Sequence, residues 1–166
     1  MSLDTFETEL TDLLPRLRRF ARSLARNADD ADDIMQLGLE RALRSRERWQ
    51  PGTRLDAWMF AIVRNVWIDE SRRRSRHARV EAPPEAGERV GTDPRPGIEA
   101  RMTARAVEHA LQQLPDDQRE AVALVLIDGL PYREAAEVLG VPIGTLTSRL
   151  GRGRLALIAL IEGEAP

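Results

Sequence analysis

The chain contains no cysteine and no lysine, only two histidines, and only three Trp, one Tyr and three Phe among 166 residues. Without cysteine there can be no disulfides, thiolate metal sites or thiol nucleophiles. His77 and His109 alone cannot build a multi-histidine metal centre, so neither a metal nor a cofactor is expected. Long apolar runs are missing too. The longest, residues 121–127 and 155–161, have seven residues each, far short of the roughly 20 that span a bilayer. The opening MSLDTFETEL is acidic and lacks the basic-then-apolar form of a signal peptide. These absences predict a cytoplasmic chain without membrane insertion. No paired-carboxylate site, nucleophile motif or phosphate loop is recognisable, so an enzyme is not expected.

What the chain has in quantity is arginine. All 25 basic residues are Arg, and they nearly balance 27 acids for a net charge of −2. That balance argues against indiscriminate polyanion binding, but it hides two local clusters. Residues 64–79 carry six arginines against Asp69 and Glu70, and residues 145–154 carry three arginines and no acid. The missing lysine is read as genomic base composition.

Apolar periodicity points to helices throughout. Leu10, Leu13, Leu14, Leu17, Ala21 and Leu24 form one stripe that stops near Asn27. Asp29 and Asp30 offer cap chemistry for a second helix, in which Ala31, Ile34, Met35, Gly38, Leu39, Ala42 and Leu43 keep the rhythm. A glycine on a buried stripe, Gly38, predicts a close helix crossing. Leu37 falls off that stripe, towards solvent or a partner. After the Gln50-Pro51-Gly52-Thr53 turn, residues 56–69 are apolar nearly all round before the chain enters Arg72-Arg73-Arg74-Ser75-Arg76. Residues 81–97 hold four prolines and three glycines with no periodicity, an acidic linker. Ile98, Met102, Ala106, Ala110, Leu111 and Leu114 then mark a helix ended by Pro115. Asp116 and Asp117 cap another that buries residues 121–127; Pro131 and Pro142 open the last two. The fold class is all-α, with two small helical domains, residues 1–80 and 98–166, joined by a flexible linker.

Residues 132–151 fit a helix-turn-helix. Ala136 is small where two helices cross, Gly140 permits the tight turn, and Leu139, Val141 and Leu146 supply the packing. Thr145, Thr147, Ser148, Arg149 and Arg152 then offer hydroxyl and guanidinium groups to bases and phosphates. A plain helical hairpin with surface arginines has the same pattern. The cluster at 64–79 could likewise be a solvated helix end that suits the helix dipole. Its neighbourhood favours more: Trp49, Trp58, Phe60 and Trp67 lie close by, and arginine interleaved with aromatics suits single-stranded or melted nucleic acid. Trp67 reads as core.

The runs DDADDIMQLGLERAL and RWQPGTRLDAWMFAIVRNVWIDESRRR, then a proline-rich linker, then LPDDQREAVALVLIDGLPYREAAEVLGVPIGTLTSRLGRGRLAL together resemble an extracytoplasmic-function sigma factor of bacterial RNA polymerase. The resemblance covers almost the whole chain. It implies a sigma region 2 domain over 1–80 that binds core polymerase and melts the −10 element, and a region 4 domain over 98–166 that reads the −35 element. Asp32, Asp33, Ile34, Gln36, Leu37 and Arg41 are implied to hold the clamp helices of the polymerase β′ subunit. Trp49 and Asn65 are implied to line a pocket for a base flipped from the non-template strand, a step costing a few kcal/mol. With them go Trp58 and Arg72, Arg73, Arg74 and Arg76 on the adjacent DNA. Thr145, Thr147, Ser148, Arg149 and Arg152 are implied to face the −35 groove. Other implied partners are promoter DNA and an anti-sigma protein that clasps an otherwise monomeric chain.

Some positions depart from the family pattern. Leu37 stands where an acid is usual, Thr147 where a base is common, and Pro131 where a hydroxyl cap is common. Gly151 and Gly153 replace larger residues at about 1 kcal/mol each in helix propensity. A sigma-like decoy that binds an anti-sigma protein without reading promoters is therefore the alternative. A dimeric helix-turn-helix repressor would leave the aromatic and arginine segment unexplained.

Overall fold

A computed structural model describes residues 3–79 and 98–163; the linker expectation for 81–97 lies outside the described residues. Among the described residues the regular structure is helical: α1 Leu3–Leu24, α2 Ala28–Arg44, α3 Leu55–Ala78, α4 Ile98–Gln113, α5 Asp116–Val122, α6 Tyr132–Leu139 and α7 Ile143–Gly163. A 3₁₀ turn, Arg46–Arg48, follows α2, and a π-helical turn, Ala123–Ile127, continues α5. No helix among them is long and apolar enough to cross a membrane.

Helix α3 is the spine of the N-terminal half. Leu55, Met59, Phe60, Val63, Val66 and Trp67 are all buried, because α1, α2 and α6 pack around it. Each such side chain removed from water is worth about 1.5–3 kcal/mol, which explains why so little of this helix is polar before Asp69. Phe20 of α1 meets Phe60 edge-on, ring centroids 5.0 Å apart. The expected close crossing is present: a Cβ on Gly38 would lie 3.3 Å from the Val63 Cγ2. Small local corrections follow from backbone hydrogen bonding. Helix α1 ends at Leu24, and Asn27 rather than Asp29 or Asp30 caps α2, its Oδ1 accepting from the Asp30 N–H at 2.8 Å. The two aspartates sit in the first turn, where their charge suits the helix dipole.

In the C-terminal half, Pro115 rather than an aspartate occupies the α5 cap position. Burial of 121–127 is incomplete: Ala121 to Leu124 are buried, but the π turn rotates Leu126 into solvent. Gly140 ends α6 at φ 66°, the left-handed conformation that the turn of a helix-turn-helix needs.

The two halves do not stand apart. Helix α1 packs on α4, α5 and the π turn, and α3 packs on α6, so buried residues from both halves form one continuous core. The sequence predicts two domains but carries no signal for this closure.

Polar groups pin it. Buried Arg119 donates to the carbonyls of Leu111, Gln112 and Leu114 in its own half and to Leu24 O at the end of α1. Gln112 donates to Ala25 O. Helix α1 thus has terminal carbonyls, which its own backbone cannot satisfy, capped by side chains from the other half. Arg64 Nε donates to Glu120 Oε1 at 2.7 Å and Arg54 Nη1 to Glu134 Oε1 at 2.6 Å, both across the interface.

Candidate nucleic-acid interface

Asn65 sits on the exposed side of α3 at the edge of an open pocket of about 360 Å³. Arg41, Arg44, Ser45, Arg48 and Ile62 complete its walls. The end of α2 and the 3₁₀ turn bring the arginines there, with Ser45 Oγ donating back to Arg41 O at 2.5 Å. Arg41 pairs with Asp69 at 2.9 Å. No motif in the sequence points to Arg44, Ser45, Arg48 and Ile62, although the basic run RALRSRER is a legible signal.

Trp49 does not share this pocket. It is buried against Phe6 of α1, centroids 5.5 Å apart, with no hydrogen-bond partner for its Nε1. Trp58 is half-buried and edge-on to the same Phe6 at 6.3 Å. Both indoles close the core over the N-terminal turn of α1, a packing that no spacing rule links to residue 6. Asn65 and Trp49 are therefore not brought together in this conformation.

The arginine run separates by helix face. Arg72, Arg73 and Arg76 are exposed, Arg73 lying 3.7 Å from Glu70. Arg74 turns inward and forms a two-pronged pair with Asp30, tying α3 to the start of α2. The Asp30 hydrogen bond raises the Arg74 pKa above its ordinary value despite opposing burial, so Arg74 is engaged within the fold.

On α7, Thr147, Ser148 and Arg152 are exposed and Thr145 is half-buried. Thr147 Oγ1 donates to Ile143 O at 2.9 Å, and Arg152 Nε lies 3.4 Å from Ser148 O. Arg149 is half-buried and reaches Asp117 at 3.6 Å. It borders the same groove as Arg72 and Arg76, a cleft of about 640 Å³ between α3 and the start of α5. Glu120 lies there as well, its pKa raised by burial although Arg64 opposes the shift. The two arginine clusters therefore meet at one cleft in the closed arrangement.

The two glycines of α7 differ. Gly151 faces open space, whereas a Cβ on Gly153 would come within 2.8 Å of Val122 Cγ2 and 3.1 Å of Gln118 O. Gly153 is what lets α7 lie close on α5; it is a packing requirement and does not mark a worn DNA surface.

Along α2, Asp32, Asp33, Gln36 and Arg41 are exposed, and Leu37 is half-buried against the core. Ile34 is 3% exposed and belongs to the core itself. It supports the helix and offers no contact surface here.

Comparison with known proteins gives consistent matches. Residues 10–77 match the family model described as Sigma-70 region 2, and residues 104–157 match Sigma-70, region 4. An ECF RNA polymerase sigma factor, EcfG of Rhodopseudomonas palustris, is 40% identical over 159 residues, 95% of this chain and 86% of that protein. Among solved structures, the sigma factor RpoE in complex with the anti-sigma factor NepR from Bartonella quintana is similar at a TM-score of 0.86 and 31% identity, covering 98% of this chain and 99% of that one. CnrH in complex with the cytosolic domain of CnrY is similar at a TM-score of 0.74 and 26% identity, covering 99% and 92%.

Proposed function

Because the chain belongs to the extracytoplasmic-function sigma factors of RNA polymerase, we propose that it binds core polymerase and directs it to promoters through −10 and −35 elements. The observation that carries this reading is the presence, in one chain and in family order, of two exposed arginine-bearing surfaces on the matched segments. The first is the Asn65 pocket with Arg41, Arg44 and Arg48 on its rim. The second is the exposed face of α7.

In this reading residues 1–80 work at the −10 element. Arg44 and Arg48 hold phosphates of the displaced strand while Asn65 hydrogen-bonds a base leaving the stack; Arg72, Arg73 and Arg76 follow the backbone beside it. Arg74 stays with Asp30, and Trp49 and Trp58 stay packed on Phe6. Residues 98–166 work at the −35 element, with Thr147, Ser148, Arg149 and Arg152 turned to the groove once Arg149 leaves Asp117. Asp32, Asp33, Gln36, Leu37 and Arg41 form the polymerase-facing side of α2.

Neither surface is large, so each half alone binds DNA weakly. Holding both on one polymerase raises the effective concentration of the second site. Two elements separated along a promoter require the halves to part, because the closed arrangement sets α6 against α3. An anti-sigma protein, as found on the similar RpoE structure, is the regulator expected for a cytoplasmic chain of this kind. The chain itself catalyses no reaction; chain elongation belongs to the polymerase.

The test is run-off transcription from fragmented genomic DNA with sigma-free core polymerase. New starts sharing two spaced upstream motifs are expected. In the Asn65→Ala variant, promoter melting falls while core binding is retained. Equal loss of both activities refutes the role given to Asn65. Core binding without any start refutes the promoter-reading assignment.

A further inference from the structure

The contact between the halves contains a charged chain that promoter reading does not use. Asp128, at the end of the π turn, has a fully buried side chain. Its Oδ1 accepts from Arg19 Nη2 of α1 at 3.3 Å, and its Oδ2 is buried with no hydrogen-bond partner. Arg16 of α1 donates to the backbone Asp128 O at 3.2 Å and, through Nη1, to Asp56 Oδ2 at 3.2 Å. Arg54 next holds Asp56 at 2.9 and 2.6 Å and reaches Glu134 of α6 at 2.6 Å. Glu134 also keeps one buried oxygen without a partner. Asp128 is thus faced by Arg16 and Arg19 from α1. Asp56 and Arg54 at the start of α3, and Glu134 of α6, complete the same chain.

We propose that Asp128 is a proton-responsive latch between the two halves: protonated, it holds them closed; ionised, it loosens them. The physical reason is the incomplete pairing. A buried carboxylate is stable only when both oxygens are satisfied, and here one is not. The single partner, Arg19, is more than half exposed, so water screens its charge. Protonation removes the buried charge and turns one oxygen into a donor. When the halves part, Asp128 meets water and the penalty disappears.

Burial raises the Asp128 pKa from the ordinary 3.8 to about 6, with Arg19 and then Arg16 opposing the shift. The closed form therefore binds the proton more tightly than the open form. By linkage, closure is favoured as pH falls through about 6 and weakened above it. For values of 3.8 and about 6, the closed-to-open ratio rises about tenfold between pH 7 and pH 5. Glu120, also buried at the interface with its pKa raised, shifts the balance in the same direction, so the test isolates Asp128 by substitution.

The absence of cysteine makes the experiment direct. Glu9→Cys in α1 and Glu137→Cys in α6, both at exposed positions, carry spin labels on the full chain. Pulsed dipolar distances are then measured from pH 7.5 to 5. The short-distance population is expected to grow as pH falls, the rise setting in near 6 and continuing to pH 5. In Asp128→Asn it should be high throughout and keep only the pH response that Glu120 supplies. Asp128→Ser serves as a second neutral variant, because an Asn before Gly129 can deamidate back to Asp. An unchanged distance distribution in the parent chain, or the same pH response in both neutral variants, overturns the latch.

Urea unfolding supplies a readout that needs no open population. The neutral variants should gain stability over the parent at pH 7.5 and keep only about half of that advantage at pH 5. Equal stability at both pH values overturns the proposal as well. Neither measurement involves polymerase or DNA, so the outcome is separate from the promoter-reading assignment.

Discussion

Two glycines two residues apart on α7 should respond to the same substitution with opposite signs. At Gly151 an added methyl meets nothing within 4 Å, so Gly151→Ala recovers helix propensity, about 1 kcal/mol at most. At Gly153 the methyl would sit 2.8 Å from Val122 Cγ2, 3.1 Å from Gln118 O and 3.2 Å from Gln118 Cβ. Favourable carbon–carbon contact begins near 3.5–4.0 Å. Val122 is fully buried and the Gln118 carbonyl belongs to helix backbone, so neither can swing aside. Overpacking of this kind costs roughly 1–3 kcal/mol. Against the same propensity gain of about 1 kcal/mol, the net for Gly153→Ala is a loss of up to about 2 kcal/mol. The two variants should therefore straddle the parent in urea unfolding. Thermal midpoints should separate by several degrees, at about 2–4 °C per kcal/mol for a chain of this size. Val122→Ala in the Gly153→Ala background should recover part of the loss, read as a coupling energy. If Gly153→Ala raises the midpoint as Gly151→Ala does, α5 and α7 do not cross as closely as described.

Arg119→Met should destabilise the chain by roughly 3 kcal/mol in urea titration, because four carbonyls on two halves lose their donor. The partial compensation is that burial already lowers the Arg119 pKa, so its charge was costly to hold there; an unchanged midpoint refutes the capping role. Arg149→Ala should weaken −35 binding by the assembled polymerase and reduce the slope of log affinity against log salt by about 1. Unchanged affinity and slope would show that Arg149 stays with Asp117 and never meets a phosphate.

Helix content, the helix-turn-helix and the Gly38 crossing were legible in sequence because each depends on neighbours three to five residues apart or on one small residue in an apolar stripe. The candidate site was legible in part. Asn65, Arg72, Arg76, Ser148 and Arg152 are exposed. Ile34, Trp49 and Arg74 are not free, and each for a non-local reason. Ile34 faces the core between α2 and its neighbours, Trp49 meets Phe6 across more than forty residues of chain, and Arg74 finds Asp30 forty-four residues away. Which of two guanidinium groups on one helix is spent inside the fold depends on where a distant carboxylate comes to rest.

The sequence by itself determined that this chain is helical and that it carries two arginine clusters on separate segments, for which local periodicity and composition suffice; its resemblance to the sigma factors rests on motif order, and the family matches show the membership. Only the tertiary structure decided that the halves close on one another and that both clusters border one cleft. It also decided that Asp128 is buried with an oxygen unpaired. These depend on surfaces brought together from segments 56 to 112 residues apart, and no short-range pattern encodes the cost of removing water from between them.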